Sequence, residues 1–197
     1  MIKLIVDFYN RKVVRSQKAR WNYQYAKGKW EGLKNERELE RQGFIKDYFL
    51  NYGNKSGSLI EFGCGFGVLP DVIFQKKHYS HYIGVDISDF IIEKIQHLAD
   101  ARHMFEVGDF ENFDFREKYD YIVFNECINY SKDIPKLLKD CRDLGLKDGG
   151  LFIISVHQFK RSPEIWEAIH DSLTVLETRT IVKNKNTWQV EVLTWKG

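Results

Sequence analysis

Cysteine is scarce in this chain. Only Cys64, Cys127 and Cys141 occur among 197 residues, and none forms a C-x-x-C pair. That spacing offers neither a disulfide framework nor a zinc site, so no metal is expected and a reducing, cytoplasmic setting is. Long apolar runs are also missing. None approaches the roughly 20 residues of a bilayer span, so no membrane association is expected. Met1–Val6 is apolar apart from Lys3, but Asp7 interrupts it and basic residues follow, unlike a secretory leader. Acids are absent from Phe8 to Trp30, where Arg11, Lys12, Arg15, Lys18, Arg20, Lys27 and Lys29 stand. Such a run can grip the phosphates of a nucleic acid or a phosphorylated substrate. It can also be the solvated face of a helix, balanced by the acids of Glu31 to Glu40, which is the commoner case. Nucleic acid is therefore a possible but not a favoured partner. A net charge of +2 points to no partner class, and no internal repeat or low-complexity segment is visible.

What is present is an ordinary globular composition, 43% hydrophobic and 29% charged, in a chain long enough for one substantial core. Its organising stretch is Leu59–Gly67, Leu-Ile-Glu-Phe-Gly-Cys-Gly-Phe-Gly. A short apolar run suits a buried strand. Gly63, Gly65 and Gly67 allow a sharp turn and close approach of a ligand. Val68–Lys77 then reads as a helix with Pro70 in its first turn. Strand, glycine turn and helix build a nucleotide-binding crevice.

Further strands are expected at Tyr82–Val85, Met104–Val107, Tyr119–Phe124 and Leu151–Val156, the last following the turn Asp148-Gly149-Gly150. Helices are expected from Ser88 or Asp89 to Leu98, from Asp133 to Leu144 and from Ser162 to Ser172. This alternation argues a parallel sheet covered on both faces. Leu173–Val182 and Trp188–Trp195 alternate as strands, joined by the polar turn 183–187, which is too short for a crossover and implies an antiparallel hairpin. Before the first strand, Ile2, Ile5, Val6, Tyr9 and Val13 fit a helical stripe, Leu33–Leu50 reads as a helix, and Asn51–Ser58 is a turn cluster. The expectation is a helical cap over residues 1–55 and an α/β core over 56–197.

The glycine motif has two possible owners. Dinucleotide folds use G-x-G-x-x-G with a pyrophosphate on the helix N-terminus. Here the third glycine comes one residue early, and Glu61, an acid poorly suited to a pyrophosphate, stands two residues before the first. Glu61–Gly67 resembles motif I, E/D-x-G-x-G-x-G, of the class I S-adenosylmethionine (SAM) dependent methyltransferases. That resemblance implies a Rossmann-like, seven-stranded, mostly parallel sheet closed by the hairpin, with SAM as cofactor and S-adenosylhomocysteine (SAH) as product. Asp86, 19 residues after Gly67, would accept both ribose hydroxyls, with Ile87 beside it. Asp109 resembles the motif III acid that meets the adenine amino group, and Phe110 would pack on the ring. Gly63 and Gly65 would approach the methionyl portion, and Glu61 its ammonium, directly or through water or a backbone amide. Phe62, Cys64 and Gly67 complete the motif.

Phe124–Tyr130, Phe-Asn-Glu-Cys-Ile-Asn-Tyr, resembles the motif IV region of a bacterial small-molecule subgroup similar to the nodulation N-methyltransferases. Trp21–Leu33 and Trp188 fit the cap and hairpin of the same subgroup. In the cap, Tyr25 or Trp30 could face the sulfonium through a cation–π contact. Asn125 and Glu126 would border the cofactor. There is no D/N-P-P-Y clamp and no Pro-Cys nucleophile. Methyl transfer requires alignment, and a general base only where the acceptor sheds a proton. Candidates are Glu126, Tyr130 and His157, the last able to titrate near neutrality. The expected acceptor is nitrogen or oxygen of a small metabolite such as an amino sugar, glycan precursor or secondary metabolite, and the expected state is a monomer or homodimer. The alternatives are an RNA or protein methyltransferase using the basic segment, and a non-catalytic SAM-binding module.

Overall fold

A computed structural model describes residues 17–75 and 77–196. The stripe Ile2–Val13 and the bases Arg11, Lys12 and Arg15 lie outside the described residues. Among the described residues two helices come first, α1 (Gln17–Ala26) and α2 (Glu36–Asn51), joined through a 3-10 turn at Glu31–Lys34. Helix α2 begins later than its apolar pattern suggests, because Asn35 is extended and stops the turn from running on.

Seven strands follow: β1 (Leu59–Phe62), β2 (Tyr82–Asp86), β3 (His103–Val107), β4 (Tyr119–Asn125), β5 (Leu146–His157), β6 (Leu173–Lys183) and β7 (Asn186–Trp195). They form one sheet in the order β3-β2-β1-β4-β5-β7-β6. The first five run parallel, and β7 is antiparallel to both β5 and β6. Between them lie α3 (Asp89–Ile95), α4 (Ile134–Asp140) and α5 (Ser162–Ser172).

The period-2 alternation of the strands divides the core. Leu59, Tyr121, Val123, Ile153 and Val190 pack with Phe44, Ile45 and Phe49 of α2 and Ile91 of α3 on one face. Ile60, Phe62, Ile122, Phe124 and Ile154 pack with Leu137 and Leu138 of α4 and Ile165 and Trp166 of α5 on the other. Helices therefore cover both faces, as a parallel sheet requires.

Three local expectations are corrected. After the glycine turn the chain makes only a short π-helical turn, Leu69–Ile73, in place of a helix to Lys77. Gln75 and His78 adopt positive φ, 50° and 72°, which a helix cannot continue through. Strand β5 does not start after Gly150. It starts at Leu146 and absorbs Gly149 at φ 73° as a ladder irregularity opposite Tyr119 and Tyr121. The β6–β7 turn is tighter than the polar run 183–187, because Lys183 already pairs with Asn186 and Asn184 takes φ 56°.

Of the basic run, Lys18 pairs with Asp89 at 2.7 Å, Arg20 lies over Trp21, and Lys27 lies over Tyr23. The balancing acids are not all solvated: Glu38 is buried, with Arg41 and Gln42 of the same helix. No helix among the described residues is long and apolar enough to cross a membrane.

Candidate active site

The strand order reverses between β1 and β4, and the crevice of such a sheet opens at the carboxyl ends beside that reversal. A cavity of about 460 Å³ lies there. It is walled by the ends of β1, β2, β4 and β5, by α1 and the N-terminal turn of α2, and by the start of β7.

In one half the wall is built on the glycine turn. Gly63, Gly65 and Gly67 have φ of 74°, 50° and 66°, the left-handed region closed to most side chains. A Cβ on Gly63 would stand 2.9 Å from Cys127 Cβ, so the turn is pressed onto the end of β4. The amides of Gly63 and Cys64 donate to Val85 O at 2.8 and 3.1 Å. The Gly65 amide donates to Asp86 Oδ2 at 3.1 Å. Asp86 also accepts from Ser88 N on Oδ1, at 2.9 Å, and from the Tyr25 hydroxyl on Oδ2, at 3.2 Å. Burial raises the Asp86 carboxyl, and these hydrogen bonds hold it down. Burial and the neighbouring Asp86 push the Tyr25 phenol well above its usual range. Oδ1 keeps a further lone pair for a ligand hydroxyl. Oδ2 has both occupied, so a second hydroxyl would have to replace Tyr25.

Glu61 stands behind this wall, fully buried. It accepts from the Tyr82 hydroxyl and, at 2.6 Å, from Asn125 Nδ2. Desolvation raises its carboxyl to about 7, against the pull of those two bonds and of Arg41. Asn125 itself lines the cavity, so Glu61 reaches the cavity through that amide.

In the other half, β4 ends on Glu126 at φ 59°, a conformation costly for a residue with a long side chain. Its Oε2 accepts from His157 N at 2.8 Å, and its Oε1 accepts no hydrogen bond. The His157 ring bonds Asn186 Oδ1 through Nε2 at 3.1 Å and sits edge-on to Trp188, 5.5 Å between centroids. Tyr130 meets Trp21 edge-on at 5.1 Å, and burial pushes its phenol up, which keeps it protonated. Trp30 packs on Trp21 at 5.4 Å and donates Nε1 to Gln24.

Among the residues expected from sequence, Tyr25, Trp30, Phe62, Gly63, Asp86, Ile87, Asp109, Phe110, Asn125, Glu126, Tyr130 and His157 all line this cavity. Glu61, Cys64, Gly65 and Gly67 do not; they shape its wall from behind. Sequence reasoning missed Trp21, Glu38, Phe159 and Asn186, and the buried Arg41 that links α2 to the end of β4. Arg41 donates Nη1 to Asn125 Oδ1 and, at 3.0 Å, to Ser155 Oγ. Its Nε stands 3.6 Å from Glu38, and Nη1 4.0 Å from Glu126 Oε1. The signal was present: Glu38, Arg41, Gln42, Ile45 and Phe49 fall at helical spacing on one face, so the apolar stripe continues as a polar one toward the site.

A parallel sheet with a glycine turn after β1, a buried acid at the end of β2 and a reversed seventh strand inserted beside β5 defines the class I, SAM-dependent methyltransferase architecture. The chain belongs to the methyltransferase domain family, whose model matches residues 34–185. Malonyl-(acyl-carrier protein) O-methyltransferase 2 of Ilyobacter polytropus is 29% identical over 109 residues, 54% of this chain and 42% of that protein. The ubiquinone biosynthesis O-methyltransferase of Bradyrhizobium diazoefficiens is 29% identical over 100 residues, 49% of this chain and 38% of that one. The chain thus matches about half the length, or less, of these curated relatives. The N-methyltransferase NodS of Bradyrhizobium japonicum WM9, solved with SAH, superposes with a TM-score of 0.69 over 83% of this chain and 90% of that one, at 16% identity. A chain of the complex between the Haloferax volcanii Trm112 methyltransferase activator and its methyltransferase superposes with a TM-score of 0.70 over 91% of this chain and 98% of that one, at 18% identity. At such identities the likeness is one of fold.

Proposed function

We propose that this chain is an active SAM-dependent methyltransferase that methylates nitrogen or oxygen of a small metabolite. The observation that carries the reading is the continuity of a single cavity, from Asp86, Asp109 and the glycine turn at one end to Glu126, Tyr130 and His157 at the other. Its volume is in the range of small-molecule sites, roughly 300–1,000 Å³. In this reading Asp86 holds the ribose, Asp109 and Phe110 the adenine, and Gly63 the methionyl segment. Glu61 acts on the ammonium through Asn125. Tyr25 and Trp30 close the cap and exclude water.

SAM supplies a methyl group already activated on a sulfonium, and an acceptor lone pair displaces the thioether in line. The chain's own task is then to hold acceptor and methyl in register and to take up any released proton. Relatives that bear O-methyltransferase names and a structural neighbour that bears an N-methyltransferase name leave both acceptor atoms within the reading.

Calorimetry should show SAH binding and no NAD binding, and Asp86→Ala should weaken SAH at least about tenfold, the cost of a charged hydrogen bond. A metabolite extract incubated with labelled SAM should yield a labelled low-mass product. Binding of NAD in place of SAH would refute the cofactor assignment. SAH binding with no labelled product from the extract would leave only a binding module.

A further inference from the structure

Tyr25 competes for the atom that the ribose needs. Its ring comes from α1 and stands edge-on to Phe66 of the glycine turn, 5.7 Å between centroids. Its hydroxyl lies on that turn, where a Cβ on Gly65 would be 3.2 Å from it. There it donates to Asp86 Oδ2 at 3.2 Å. Tyr25 and Asp86 are 8% and 6% exposed, so the bond is sheltered from water.

A carboxylate offers about four lone-pair sites, two on each oxygen. The fold already fills three of them on Asp86, with the Ser88 amide on Oδ1 and the Gly65 amide and Tyr25 hydroxyl on Oδ2. A ribose presents two neighbouring hydroxyls and needs one site on each oxygen. Oδ1 has one to give. On Oδ2 a donor must yield, and the two donors there differ. The Gly65 amide belongs to the backbone of the glycine turn, at φ 50°, and moving it would unmake the turn. The Tyr25 hydroxyl ends a side chain and leaves by rotation. Helix α1 keeps its other ties, from Lys18 and Asn22 to Asp89 and from Ser88 to Asn22. Exchange of a phenol for an alcohol at Oδ2 leaves the number of hydrogen bonds on Asp86 unchanged, so the exchange itself gains little.

We infer that the Tyr25 hydroxyl is a stand-in for one ribose hydroxyl. A complete cofactor displaces it from Asp86 Oδ2, and a cofactor lacking that hydroxyl leaves it in place with the carboxylate still bonded. This rests on the assignment of Asp86 to the ribose in the reading above and adds a specificity residue to it. The chain then demands one ribose hydroxyl, the one at Oδ1, and tolerates loss of the other.

The test is calorimetry of SAH, 2′-deoxy-SAH and 3′-deoxy-SAH with the full chain and with Tyr25→Phe. On the wild-type chain one deoxy analogue should bind within about threefold of SAH, because Tyr25 fills the missing place. The other should bind about tenfold or more weaker, having lost its bond at Oδ1. In Y25F the tolerated analogue should fall to about tenfold below SAH, while SAH itself binds at least as tightly as to wild type. Equal, large losses for both analogues on the wild-type chain overturn the inference, and this comparison needs no variant. Unchanged ratios in Y25F overturn it as well. So does weaker SAH binding by Y25F, which would make the hydroxyl a contact of the bound cofactor in place of its competitor. In all three cases SAH still binds the wild-type chain and the methyltransferase reading stands. Failure of the wild-type chain to bind SAH would instead remove that reading.

Discussion

Glu61 shows what burial does to one residue of a recognisable motif. Its identity suggests an ionised carboxylate close to the ligand. Its position is behind Asn125, sealed from water, with the carboxyl raised to about 7. A carboxyl whose folded value lies above its unfolded value stabilises the fold fully below the unfolded value, here 4.5, and that contribution is lost as pH rises through about 7. Glu61→Gln imitates the protonated acid: the amide oxygen can accept from Asn125, and the amide nitrogen can donate to the Tyr82 oxygen. The variant should therefore gain stability relative to wild type at pH 8, by up to about 3 kcal/mol, and the gain should shrink toward pH 5. Denaturant midpoints at the two pH values measure this. A gain that is flat with pH would mean that Glu61 is ionised throughout.

At the scale of elements, the glycine turn divides its work between backbone conformation and packing. Gly63 and Gly149 both have positive φ, 74° and 73°. A Cβ on Gly63 would collide with Cys127 Cβ at 2.9 Å and crowd Asn125 O at 3.2 Å, whereas a Cβ on Gly149 meets nothing within 4 Å. Gly149→Ala should therefore cost only the conformational penalty, about 1 kcal/mol. Gly63→Ala should cost about 2–4 kcal/mol and lower the Tm by several degrees more, as well as disturb the wall at Asn125. Equal Tm values for the two variants would show that the contact between the β1 turn and the end of β4 yields freely. Much of this layer was legible beforehand. The strands, the Ser88 cap of α3 and the closing hairpin follow from alternation and turn chemistry, which are local. The shortened turn after Gly67 and the early start of β5 were not legible, because each depends on neighbours that the local pattern does not name.

At the scale of the molecule, the N-terminal helices act as one wall of the site. Helix α1 is tied to the loop that opens α3: Ser88 Oγ donates to Asn22 Oδ1 at 2.6 Å, Asn22 Nδ2 donates to Asp89 at 2.5 Å, and Lys18 pairs with Asp89. Tyr25 reaches deeper, to Asp86. A ligand seated between Asp86 and α1 should order both. Hydrogen exchange of the α1 amides should slow by about tenfold or more on adding saturating SAH, while the outer strand β6, away from the cavity, should change little. Unchanged α1 exchange would separate the cap from the cofactor site.

The sequence by itself determined the α/β alternation, the polar residues at the strand ends and the glycine turn, because each rests on local periodicity or on a backbone conformation open chiefly to glycine. Motif resemblance added the cofactor class. Only the tertiary structure decided which of those residues face the cavity and which stand behind it. It also decided the polar cluster behind the end of β4, where Arg41 meets Asn125 and Ser155 across 84 and 114 positions of chain. The physical reason is that a charged helical segment such as Glu38–Gln42 reads as solvated surface until the sheet beneath it supplies polar partners, and sequence spacing does not encode those partners.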